Sequence, residues 1–225
     1  MKKTLTVFAA LMLVALAVPH SALAYDFSAV APSGQTLYYN IVDGNAQVTS
    51  SQGSYAATGD LVIPSSVVYN GNSYNVTSIG SLAFEYCSGL TSVTIPNSVT
   101  SIGTAAFSHC SGLTSVTIPN SVTSIGSYAF RDCSGLTSIV VDEGNTHYDS
   151  RDNCNAIIQT NLNLLVQGCN TTVIPTSVNS IGDGAFSGCS GLTSVTIPES
   201  VTSIGFYAFY PAHILILALI AMYLR

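Results

Sequence analysis

The sequence predicts a β-rich solenoid: short parallel strands stacked coil upon coil, one short helical turn per coil, and a β-hairpin cap at the N-terminal end. Three observations predict it. A 23-residue unit recurs almost verbatim, as LTSVTIPNSVTSIG at 90–103 and 113–126 and as LTSVTIPESVTSIG at 192–205. Two independent markers keep that period. Ile63, Ile95, Ile118, Val141, Ile174 and Ile197 are 32, 23, 23, 33 and 23 residues apart, and Phe84, Phe107, Phe130, Phe186 and Phe209 are 23, 23, 56 and 23 apart. Finally, only 7% of the 225 residues are charged, against roughly 25% in an ordinary soluble domain. Hydroxyls and amides must therefore make the surface wettable, as the many Ser, Thr and Asn residues allow.

In chain order, residues 1–24 have the form of a secretory signal peptide. Lys2 and Lys3 are its basic start, Leu5 to Val18 its apolar run, and Ala22-Leu23-Ala24 its cleavage site. The run is short of the roughly 20 residues a membrane span needs. The expectation is a secreted or cell-surface chain that starts at Tyr25 and has no membrane span in its mature form. Without Lys2 and Lys3, three arginines face eleven acids, a net charge of −8. Scattered Arg131, Arg151 and Arg225 give no basic footprint for nucleic acid.

Residues 25–60 carry turn signals at Ser33-Gly34, Asp43-Gly44 and Gln52-Gly53 between short runs such as Thr36 to Val42. They are the expected hairpin cap, because a solenoid must cover its open end. Residues 61–210 form the solenoid. In each coil Val93 and Ile95 point inward and Thr94 outward, a half-buried strand that Pro96 ends. Val99 and Ile102 return apolar weight inward and Gly103 allows a tight turn. Ala106-Phe107 begins the helical turn, which closes near Gly112. The steps of 33 and 56 show that one coil, at about 142–174, has lost its Ala-Phe and gained an insertion. Residues 211–225 break the pattern with PAHILILALIAMYLR. Three readings compete for this tail: an aberrant or truncated end, an apolar segment folded over the last coil, and a membrane-associated end.

The motifs LTSVTIP, SVTSIG, xAF and CSG resemble the BspA-like leucine-rich repeats of bacterial surface proteins, over about two thirds of the chain. SRDNCNAII at 150–158 resembles the core of a variant coil of that family. The resemblance implies a leucine-rich-repeat solenoid engaged in adhesion or protein binding. It names no partner, because solenoids share architecture and not ligands.

Enzymatic chemistry is not expected. There is no G-x-S-x-G, and the serines recur at equivalent repeat positions where none has a special environment. No C-x-x-C occurs, and His109, His147 and His213 lie far apart, so neither metal nor cofactor is expected. Cys87, Cys110, Cys133 and Cys189 share one repeat position and stack as parallel core thiols, poor geometry for bridging. Cys154 and Cys169 lie off that register and are the candidate disulfide.

Binding residues are sought where the repeat varies. Aromatic and arginine side chains make strong contacts, which selects Tyr86, Tyr128, Arg131 and Tyr148. The acidic run of the variant coil adds Asp142, Glu143, Asp149, Arg151 and Asp152. Its simplest reading is a solvated loop with a local arginine pair. The expected partners are extracellular or host-surface proteins, or other cells. The competing expectation is a non-binding spacer of a larger surface protein, of which this chain is a truncated fragment.

Overall fold

The computed structural model describes residues 25–50 and 57–210. The expected signal peptide and the apolar tail lie outside them. No helix among the described residues is long and apolar enough to cross a membrane.

The chain opens with antiparallel strands β1 (Phe27–Val30), β2 (Thr36–Val42) and β3 (Asn45–Thr49). These are the predicted cap, and they continue directly into the solenoid. β4 (Gly59–Val62) begins the first coil, and a hairpin of β5 (Ser66–Tyr69) and β6 (Asn72–Ile79) follows. That hairpin accounts for the 32-residue step. It turns at Asn70-Gly71, both with positive φ (49° and 77°), as a type I′ turn requires. Its Tyr69 stacks on Phe27 at 4.5 Å, and Phe27 stacks on buried Tyr39 at 5.2 Å, so aromatic faces join cap and coil.

The regular coils then contribute two strands each: β7 (Leu90–Thr94) with β8 (Ser101–Ile102), β9 (Ser115–Ile118) with β10 (Ser124–Ile125), and β11 (Ser138–Val141) in the next coil. The first strands of the coils pair in the order β11-β9-β7-β4, and the second strands continue from the cap as β3-β6-β8-β10, all parallel. Parallel register puts identical residues on top of one another. Leu90, Leu113 and Leu136 are buried in one column, Val99 and Val122 in a second, and Phe84, Phe107 and Phe130 in a third. The phenylalanine rings stack at 5.1 Å and 5.3 Å with nearly parallel planes. Each buried side chain of this size contributes about 1.5–3 kcal/mol.

The turn at Ala-Phe stands where expected, in a form that no helix has. Alternate amides point in different directions. Ala106, Ser108 and Cys110 donate back three residues to Gly103, Ala105 and Phe107, while Ala105, Phe107 and His109 donate to Ser127, Ala129 and Arg131 of the next coil. Ala105 and His109 have φ of 53° and 60°, which interrupts any helix. Gly103 has a different role from the expected turn: an added Cβ would lie 2.5 Å from Ser81 N, so glycine lets adjacent coils approach.

The variant coil is built from β12 (Tyr148–Asp149), a short 3-10 turn at Arg151–Asn153, β13 (Ile157–Gln159) and β14 (Leu164–Gln167). β12, β13 and β14 pair antiparallel, and β14 passes the parallel ladder on to β15 (Ser180–Ile181) and β16 (Ser203–Ile204). Buried side chains accordingly form two clusters, which meet at this coil. On the turn side the variant coil is missing: Gly168 stands against the ring of Phe186, where the regular coils stack another phenylalanine.

Candidate binding surface

The turns make a ridge, formed by residues 81–86, 104–109, 127–132, 183–188 and 206–210. Two positions per coil take left-handed φ, for example Tyr128 (61°) two residues before phenylalanine and Asp132 (57°) two after it. The side chains at these positions are free to vary because no ladder hydrogen bond depends on them.

Five ridge side chains form one connected group. Tyr86 stacks on His109 with ring centroids 4.4 Å apart. His109 Nε2 lies 3.5 Å from Asp132 Oδ2, and Arg131 Nε approaches the same oxygen at 3.1 Å. The Arg131 guanidinium sits over the Tyr128 ring, 5.5 Å from its centroid, a cation–π contact. On its other flank Asp132 reaches across the missing coil: its amide donates to Ser187 O, and Ser187 Oγ donates to Asp132 Oδ1 at 3.2 Å, 55 residues away in sequence. Tyr128 lies against Gly184, where an added Cβ would meet the ring at 2.7 Å.

Tyr86, Tyr128 and Arg131 are thus brought together as neighbours. His109 and Asp132, which sequence reasoning did not select, complete the group, although both stand at the variable pair between Phe and Cys. Also unselected are Phe206, Tyr207 and Tyr210 on the last coil, 78%, 68% and 56% exposed.

Tyr148, expected as a contact residue, is instead buried in the variant coil. Its ring is 6% exposed and its hydroxyl accepts the Ile125 amide at 3.0 Å. Burial accordingly raises its hydroxyl pKa. Asp149 and Arg151 hold the variant coil together. The guanidinium grips the carboxylate through Nε (2.8 Å) and Nη2 (2.6 Å) and donates through Nη1 to Asn163 Oδ1 and Ser177 Oγ. Asp142, Glu143 and Asp152 lie at the surface of this coil, away from the ridge, with Asp152 in left-handed conformation. No cluster of three or more His, Cys, Asp or Glu suited to a metal occurs among the described residues.

The cysteine ladder runs through Cys87, Cys110 and Cys133, but Cys189 stands in the second cluster, beside Cys169 of the variant coil and donating to Gly168 O, because the intervening coil separates it from Cys133. Cys110 and Cys133 donate to Phe84 O and Phe107 O of the preceding coils at 3.2 and 3.1 Å. Burial pushes the Cys87 thiol up to about 11 and Cys189 up to about 12, and the neighbouring Cys133 and burial push Cys110 up as well. Raised in this way, the Cys87, Cys110 and Cys189 thiols stay in the protonated form at neutral pH. Cys154 and Cys169 are separate thiols in this structure, donating to Ala156 O and Asn155 O respectively.

Stacked coils of 23 residues, two short parallel strands per coil and a variable ridge define a leucine-rich-repeat solenoid. The match is specific: residues 65–166 and 166–220 fit the BspA type leucine rich repeat region in six copies, and the chain belongs to that family. Solved structures similar to it include a leucine rich cell surface protein from Faecalibacterium prausnitzii (22% identity, 81% of this chain and 73% of that one, TM-score 0.46). Another is the pneumococcal vaccine antigen PcpA (18%, 77% and 65%, TM-score 0.45). A leucine-rich repeat protein from Bacteroides capillosus is similar over 71% of this chain and 91% of its own (29%, TM-score 0.44). No curated protein matches the chain. Proteins of this repeat class bind other proteins and are generally not enzymes.

Proposed function

We propose that this chain is an exported interaction protein that adheres, at or outside the bacterial cell surface, to extracellular or host proteins or to other cells, through the ridge of its turns. The observation that carries the reading is the Tyr86–His109–Asp132–Arg131–Tyr128 group. It is the place where a repetitive surface of Ser and Thr gives way to aromatic and ionic side chains held against one another. Tyrosine and arginine dominate contact energies at interfaces. Partly preorganised side chains also lose less freedom on binding. The basic start, apolar run and cleavage site at 1–24 support export.

Left-handed positions such as Tyr86 and His109 tolerate Asn, and Arg131 is a ridge side chain, so the triple variant Tyr86→Asn/His109→Asn/Arg131→Ala should keep the fold. Binding of the purified chain to immobilised matrix proteins and to whole cells should weaken by at least about tenfold in this variant, the loss of one or two good contacts. Wild-type binding by the variant would move the site elsewhere. Binding to none of these surfaces by the parent chain would favour the spacer reading. Cell fractionation tests export, and a cytoplasmic chain would sink it.

A further inference from the structure

Among the described residues two arginines pair with aspartate, and the pairs are made differently. Arg151 is saturated: Nε and Nη2 fork the Asp149 carboxylate, and Nη1 donates to Asn163 Oδ1 and Ser177 Oγ. All three nitrogens of its guanidinium are spent inside the variant coil. Arg131 meets Asp132 through one atom. Its Nε lies 3.1 Å from Asp132 Oδ2, off the line of a directed hydrogen bond, and no other N–H of this guanidinium is bonded among the described residues.

The surroundings of Arg131 restrain it without using it up. Its guanidinium carbon sits 5.5 Å from the centroid of the Tyr128 ring, and a ring on one face leaves the edge of the planar group for a partner in its plane. Asp132 is held from its other flank, where Ser187 Oγ donates to Oδ1 and the Asp132 amide donates to Ser187 O. The carboxylate therefore keeps its place without a hydrogen bond from Arg131. The Arg131 side chain is 38% exposed. Beyond residue 3 the chain has no lysine, so among the described residues Arg131 is the one guanidinium or ammonium group with donors to spare.

We infer that Arg131 is the anion-recognising point of the ridge and that it takes a carboxylate, an aspartate or glutamate side chain of a partner protein, docked edge-on against the guanidinium beside the Tyr128 ring. This deepens the adhesion reading above and rests on it. A carboxylate is the fitting anion for two reasons. Its plane and spacing match the guanidinium fork, so two charge-assisted hydrogen bonds form together. It also carries a single charge, whereas a doubly charged phosphate would be repelled more strongly by Asp132. A protein is the fitting source, because arginine and tyrosine together are the side chains enriched at protein–protein contacts. The donors have no competing partner in the free chain, and Tyr128 and Asp132 already restrict the side chain that binding must order.

Binding of the whole chain to immobilised matrix proteins tests this. Arg131→Gln should weaken binding by at least about tenfold. Arg131→Lys, which restores the charge but not the planar fork, should recover only part of that loss. Circular dichroism of both variants should match that of the parent. Converting the carboxylates of the immobilised protein to neutral amides should weaken the parent chain by a similar factor, and acetylating its lysines should not. On the amidated protein Arg131→Gln should bind no worse than the parent. An Arg131→Gln or Arg131→Lys variant that binds the untreated protein as the parent does, or a parent that binds equally after amidation, overturns the inference and leaves the adhesion reading standing. So does a dependence on Arg131 that vanishes when a sialidase strips sialic acid from the surface, since the carboxylate would then belong to a sugar. A parent chain that binds none of the surfaces removes the adhesion reading, and this inference with it.

Discussion

Two neighbouring stretches hold themselves together by different means. In the regular coils at 90–136, cohesion is repetitive: each coil repeats the same backbone ladder, the same buried Leu, Val and Phe columns, and the same Thr hydroxyl on the preceding carbonyl. Thr100 Oγ1 on Thr77 O and Thr123 Oγ1 on Thr100 O show that last contact. In the variant coil at 142–174, single side chains replace what the ladder no longer supplies. Asn145 alone makes four bonds, donating to Pro119 O and Val122 O and accepting the His147 and Tyr148 amides. Ser150 accepts the Val141 amide and donates to Ala156 O, and Asn170 donates to Ser134 O while accepting the Gly191 amide. The lesson is that a repeat can lose its periodicity without losing its stack, provided polar side chains take over the carbonyls and amides that an absent strand leaves behind.

That contrast can be broken experimentally. The largest effect is expected in the regular coils: Phe107→Ala removes a ring sandwiched between two others and should cost about 3–5 kcal/mol in denaturant unfolding. A loss below about 1 kcal/mol would show that the ring column is not what joins the coils. Asn145→Ala should be intermediate, about 1–3 kcal/mol, because it strips partners from part-buried main-chain groups. If calorimetry finds it silent, the pairing of β12 with β13 must be holding that corner instead. Thr100→Val, which loses one exposed hydroxyl contact and keeps the methyl, should fall within about 0.5 kcal/mol. A larger cost would mean that the hydroxyl columns act cooperatively.

The same contrast sets how much could be read in advance. Period and composition sufficed for the strands, the cap and the skipped Ala-Phe, because a parallel stack maps a sequence repeat directly onto columns of neighbours. The two hairpins were hidden inside steps of 32 and 33, although Asn70-Gly71 was an available hairpin signal. Tyr148 looked like a surface aromatic because it sits in an acidic loop. Yet it lies 23 residues after Ile125, in the register of the inward strand position, and Asn145 likewise lies 23 after Val122. Counting straight through the irregular stretch would have marked both as structural. His109 and Asp132 were harder to find, since only the stacking of one coil on another makes their alternation a connected group.

The missing turn of the variant coil also decides which side chains are neighbours. The extra strands β12, β13 and β14 stand in the sheet that leads to β15, whereas on the ridge Asp132 meets Ser187 directly. Variable positions from coils distant in sequence, Tyr128 against Gly184 and, 55 residues apart, Asp132 against Ser187, therefore share one continuous surface.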